Sequence, residues 1–94
     1  MSASFKMAVV ETLVLPNVPD VILAGPVRVG SCQKGDLLVL KGADRSRTVR
    51  CNGLELINWG SLRRDWISIR ISDVDLVDVR GVNEVVDLEG STPD

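Results

Sequence analysis

The sequence predicts an all-β fold: a small closed or nearly closed antiparallel barrel of six to seven strands. Three observations point there. Fifteen valines and 5 isoleucines stand against only 4 alanines, and β-branched side chains fit pleated surfaces better than helices. Gly and Pro punctuate the chain at short intervals, and no stretch of useful length carries a helical period. Short strands with frequent turns leave many edges, and closure is the arrangement that removes them.

The elements follow in order. The 94 residues hold one domain, too short for a second core. It spans residues 5–88, with an N-terminal extension over 1–4 and a polar, flexible tail over 89–94. Residues 5–15 read as a first strand, followed by a turn from Asn17 to Asp20 with Pro16 and Pro19. In residues 21–29, Val21, Leu23, Val27 and Val29 share one face with Gly25, while Ile22, Ala24, Pro26 and Arg28 take the other. A glycine at position 25 lets another backbone approach or the barrel bend. Pro26 removes a ladder donor and favours an edge.

Gly30 and Gly35 bracket a tight loop suited to positive φ, with Asp36 placed to accept backbone N–H groups. Residues 36–41 are apolar on both faces, which predicts a central strand. Gly42 to Ser46 turn the chain again. In residues 47–57, Val49 and Cys51 fall on one parity and Leu54 and Leu56 on the other. A bulge or sharp bend at Asn52–Gly53 would keep both pairs buried. Residues 66–72 alternate cleanly, with Ile67, Ile69 and Ile71 pointing in and Trp66, Ser68, Arg70 and Ser72 pointing out. Residues 74–79 and 82–88 supply the last strand or two.

Composition removes several chemistries. There is no histidine, hence no Ser-His or Cys-His mechanism and none of the commonest metal ligand. Cys32 and Cys51 cannot complete a tetrahedral zinc site by themselves and read as reduced thiols. Gly30 to Gly35 has the glycine spacing of a phosphate loop, but Asp36 and Leu37 stand where Lys and Ser or Thr belong. Asp73, Asp75 and Glu84 fit three positions of a calcium loop, but Asp78 replaces its central glycine. The expectation is a protein that is not an enzyme, with no cofactor, no metal and no GTP. Apolar runs reach only four residues, as in Val21–Ala24, against the roughly 20 that a membrane-spanning helix needs. The N-terminal residues show no signal pattern. A cytoplasmic protein with no membrane partner is expected.

Charge is unevenly spread. The net charge of −2 combines −1 over residues 1–27, +5 over 28–70 and −6 over 71–94. A basic middle can meet phosphates while the acidic end repels them elsewhere, or both can be ordinary solvated surface.

From the second strand onward a family resemblance is visible. Residues 24–40, AGPVRVGSCQKGDLLVL, resemble the β-barrel second domain of elongation factor Tu and related translational GTPases, through Gly25, Val27, Gly30, Gly35, Asp36, Leu38 and Leu40. Val10-Glu11-Thr12-Leu13-Val14, Gly53-Leu54-Glu55-Leu56, Asp65 to Ile69 and Asp78-Val79-Arg80-Gly81 resemble its other segments, in order, across residues 5–88. The resemblance implies a barrel that binds rather than catalyses, standing here without a GTPase domain. It implies contact with RNA, as tRNA or ribosomal RNA, or with neighbouring proteins. Glu11 matches a carboxylate near the aminoacyl group, and Gly53, Leu54 and Glu55 match the segment lining the terminal adenosine pocket. Thr12 replaces the family Asp beside that carboxylate, and Asn58 replaces an Arg beyond Glu55.

The outward residues give an independent set of candidates: Trp66 and Arg70 on one strand face, with Arg28, Arg50, Arg63 and Arg64 able to join them. A displayed Trp beside arginines can stack a base, can anchor a protein partner, or can cover an apolar patch. Trp59, in a loop, reads as packed beneath it. The expected binding residues are therefore Glu11, Arg28, Arg50, Gly53, Glu55, Trp66 and Arg70. The partner is RNA or, alternatively, a protein, with the chain then acting as an adaptor, assembly subunit or inhibitor.

Overall fold

The computed structural model describes residues 5–14, 17, 20–43, 45–55, 57–72, 74 and 79–87. Seven strands cross it: β1 (Lys6–Ala8), β2 (Glu11–Val14), β3 (Val21–Val29), β4 (Leu37–Gly42), β5 (Ser46–Glu55), β6 (Trp66–Ile71) and β7 (Val82–Asp87). One 3₁₀ turn, Ser61–Arg63, precedes β6. The neighbours run β1-β7-β4-β5-β6-β3, and β1 pairs back onto β3. Every pairing is antiparallel, so six strands form a closed barrel, with β2 added outside the ring along β3. This is the fold class that the alternation and turn signals predict. No helix among the described residues is long and apolar enough to cross a membrane.

Alternation decides what fills the barrel. Ile69 and Ile71 of β6 are wholly buried, facing Leu23 of β3, Leu38 and Leu40 of β4 and Val85 of β7 in one core cluster. Each such side chain contributes about 1.5–3 kcal/mol through burial. The central position expected for β4 is found: it lies between β5 and β7, and Leu38, Val39 and Leu40 are buried on both faces. Gly30 and Gly35 have the expected positive φ of 65° and 98°. The Asp36 carboxylate accepts the Gln33 N–H at 2.9 Å. Cys32, in that loop, and Cys51, on β5, are free thiols inside the core.

Three local expectations are corrected. The first strand is not continuous. It breaks at Val9–Val10, where Val9 N–H donates to Asn83 of β7 and Val10 N–H to Ala24 of β3. The break brings Ala8 against Gly25, where a Cβ would overlap the Ala8 carbonyl oxygen and crowd the Val10 nitrogen. Pro26 is not on an edge, since β3 pairs with β6 from Val21 to Pro26 itself. On its other side the pairing jumps from Val27 with β1 to Ala24 with β2, so the missing donor falls opposite the break.

The bulge at Asn52–Gly53 is present, with Gly53 at φ 141°, but it does not bury Leu54. Leu54 pairs with Ile69 just before β5 ends and stays 46% exposed. Leu56 lies outside the described residues. Around 74–79 only Val74 and Val79 are described, both buried and neither in a strand. The expected extension over 1–4 and tail over 89–94 also lie outside the described residues.

Replacing Gly25 with Ala should cost about 1–3 kcal/mol, the usual range for an overpacked site. A urea midpoint equal to that of the parent chain would remove the close approach as a constraint on the fold.

Candidate functional site

Sheet register brings five of the expected residues onto one outer face. Glu11 of β2 pairs with Ala24 of β3, Ala24 with Ser68 of β6, and Ser68 with Glu55 of β5, forming one row across four strands. Trp66 lies one step along the same face, opposite Pro26. Arg70 lies one step the other way, between Ile22 and Gly53. Arg28, exposed on β3 beyond Pro26, marks the margin. Arg50 is not part of this face. It precedes the bulge, where β5 pairs with β4, and its Nη1 donates to the Gly35 carbonyl at 2.8 Å.

The Arg70 guanidinium points outward as alternation requires, yet it is held on both sides. Nε donates to the Asp20 carboxylate at 2.5 Å, and Nη1 donates to Glu55 Oε1 at 2.8 Å. Asp20 is buried and also accepts from Ser72 Oγ at 2.8 Å and Asn52 Nδ2 at 3.2 Å. The network clamps the start of β3, the bulge of β5 and the end of β6 together. The Ser72 hydrogen bond holds the Asp20 carboxyl below its ordinary value near 3.8; burial opposes this, and the Arg70 and Asn52 bonds reinforce it. Nothing local in the sequence announced Asp20, which read as a turn residue. Its partner Arg70 is 50 positions away, and the only hint was that Arg70 and Ser72 share a strand face.

At the Trp66 end the character changes. The loop before β6 folds over the sheet so that Trp59 Nε1–H donates to Ser68 Oγ at 2.8 Å. This satisfies a hydroxyl that is only 2% exposed and gives Trp59 the packed role expected of it. The two indoles meet at 5.1 Å with a 48° tilt, within the range of favourable aromatic pairs. Arg63 joins them, its guanidinium carbon 4.4 Å from the Trp66 ring centre, close enough for a cation–π contact. Beside this stack a cleft of about 150 Å³ runs between Leu54, Glu55, Ile57, Trp66, Ile67 and Ser68. Leu62, next to Arg63 in the 3₁₀ turn, is 97% exposed.

Glu11 and Glu55 are three strands apart, about 14 Å at ordinary strand spacing, farther than carboxylates that share acid–base work. The face offers a half-buried Trp capped by a planar cation, a carboxylate in a narrow cleft and a hydroxyl already engaged. Beneath the bulge, the Cys32 thiol donates to Cys51, lowering the Cys51 thiol to about 7 although burial opposes it. The same hydrogen bond, with burial, pushes Cys32 up.

No family model matches this chain, and neither the curated proteins nor the solved structures contain a match to it.

Two expectations follow for stability. As pH falls, the unfolded chain takes up a proton at the ordinary carboxyl value before folded Asp20 does. The Asp20 contribution is thus complete above that value and lost as pH falls through the lower folded one. Urea midpoints measured from pH 6 downward should fall less steeply in Asp20→Asn than in the parent; identical slopes would exclude Asp20 as the clamp. Trp59→Phe leaves the buried Ser68 hydroxyl without its donor and should cost about 1–3 kcal/mol, read from the same unfolding curves. A change below 0.5 kcal/mol, roughly the scatter of ordinary surface substitutions, would refute that role.

Proposed function

We propose that the barrel is a non-catalytic binding module that contacts RNA, as tRNA or ribosomal RNA, through the outer face of β2, β3, β6 and β5, and acts in the cytoplasm. The observation that carries this reading is the Trp66–Arg63 stack at the end of the face. A base stacks on an aromatic ring or on a guanidinium plane, and here the two are already superposed, so an incoming base extends the stack at little ordering cost. The resemblance to the second domain of elongation factor Tu supports the same reading. Three of the residues that the resemblance matches to the family's binding positions, Glu11, Gly53 and Glu55, lie on this one face together with Trp66. Arg70 acts as a positioning residue: it fixes Glu55 beside the cleft, and its charge is spent within the fold.

A second reading, a protein-interaction module, is favoured by Leu62. A fully displayed Leu next in sequence to Arg63, which lies over the indoles, has the make-up of an interface anchor. The two readings separate experimentally. If RNA is the ligand, Trp66→Ala should weaken binding of a tRNA or ribosomal RNA fragment by about 1–3 kcal/mol, with the melting temperature little changed. Capture from cytosol should then be abolished by RNase. Capture that survives RNase and disappears in Leu62→Asp would replace the RNA reading with the protein one. A large loss of stability in Trp66→Ala with unchanged RNA affinity would make Trp66 a packing residue only.

A further inference from the structure

Away from the outer face, at the end of the barrel where β4 turns into β5, three arginines line one hollow. The hairpin closes through Gly42 N–H on the Arg45 carbonyl at 2.9 Å. β7 enters alongside, with Gly42 opposite Val82. The backbones come so close that a Cβ on Gly42 would stand 3.0 Å from the Gly81 carbonyl oxygen. These elements enclose a hollow of about 360 Å³ whose wall carries Arg45, Ser46, Arg47 and Arg80 over a floor that includes Gly42 and Gly81.

Arg45, Arg47 and Arg80 are all exposed. Among the described residues the Arg45 and Arg80 side chains hold no ion pair or hydrogen bond, whereas Arg47 has a contact within the fold. A second hollow of about 370 Å³ adjoins, sharing Arg47 and adding Arg50, Thr48, Asn52 and Ser72. Against these guanidinium groups the hairpin sequence supplies one carboxylate, Asp44. On the neighbouring strands Glu84 stands opposite Lys41, a cation of its own.

We propose that this hollow binds a phosphate-rich anion. Three arginines lining one concavity suit the tetrahedral, multiply charged oxygens of linked phosphates, which accept paired N–H bonds. The glycines let a ligand approach the backbone. Arg45 and Arg47, two positions apart at the start of β5, stand about 7 Å apart along the strand and can hold successive phosphates, with Arg80 closing the other side. Two sources supply that chemistry: a free oligophosphate or the backbone of single-stranded nucleic acid. The site shares no residue with the Trp66 face, so it stands or falls separately from the function proposed above.

The test titrates the full chain by calorimetry with inorganic tripolyphosphate and, separately, with a short oligouridylate at several salt concentrations. The double variant Arg45→Ala/Arg80→Ala removes two exposed side chains that have no partner among the described residues, so its melting temperature should match the parent. Tripolyphosphate affinity should fall at least tenfold in that variant and stay unchanged in Trp66→Ala. If the oligonucleotide backbone is the source, its log–log salt slope should shrink by roughly 1.4, about 0.7 for each single-strand phosphate that no longer meets an arginine. Binding of tripolyphosphate alone identifies the free oligophosphate. Failure of both probes to bind near physiological salt, or binding that the double variant leaves intact, overturns the proposal.

Discussion

The barrel depends on one close contact, the approach of the Ala8 carbonyl to Gly25. A closed ring of six strands needs a first strand that reaches both β7 and β3. β1 does so over Lys6–Ala8, and the chain then breaks at Val9–Val10, where one amide turns to β7 and the next to β3, before running on as β2 outside the ring. That crossing leaves no room for a side chain at position 25. It also explains Pro26. A residue without an amide hydrogen is tolerated in a mid-sheet strand where the neighbour on one side has moved away. Closure in turn makes the outer surface of β2, β3, β6 and β5 a continuous four-strand face, on which residues from both ends of the chain share one row.

That face is polar at one end and aromatic at the other because of where charges are neutralised. A buried carboxylate costs folding free energy unless it is paired and hydrogen-bonded. Asp20 meets the requirement with three donors, which draws Arg70, Ser72 and Asn52 into a structural role. Arg70 then has one remaining direction, and Glu55 occupies it. At the other end Arg63 lies over Trp66 instead. For the binding function proposed above, this points to the Trp66 end, since a cation fixed between two carboxylates offers little field to a further anion.

The parts of this architecture legible in the sequence are those governed by period and by local backbone demands. Ile67, Ile69 and Ile71 alternate, so β6 and its inward face could be read directly. The parity switch between Cys51 and Leu54 announced the bulge at Gly53, and Gly25 announced the close approach without saying which backbone approached. What could not be read depends on long-range pairing. The split of the first strand is set by β7, more than 70 residues later. The pairing of Arg70 with Asp20 joins two residues that look like unrelated surface charges. The exposure of Leu54 follows from where β5 happens to end, which apolar parity does not encode. The candidate face was legible as a set of outward residues, but the division between clamp and platform was not.

The same logic governs the basic middle of the chain. Along the sequence, residues 28–70 carry a net +5 as if they formed one patch. The barrel distributes those charges: Arg70 is neutralised, Arg63 caps an indole, and Arg50 is turned to the Gly35 carbonyl. Arg45 stands at the mouth of the β4–β5 hairpin without a partner among the described residues, and Arg80, the sole cation of the otherwise acidic final segment, is brought beside it. On the proposal made above, a molecule whose net charge is −2 gathers positive charge in one concavity. There the surrounding low-dielectric walls strengthen its field and the acidic segments can steer anions away from other approaches. Net charge therefore says little about whether this barrel meets phosphates; the pairing of individual guanidinium groups decides it, and that pairing is fixed by the register of β5 against β4 and β6.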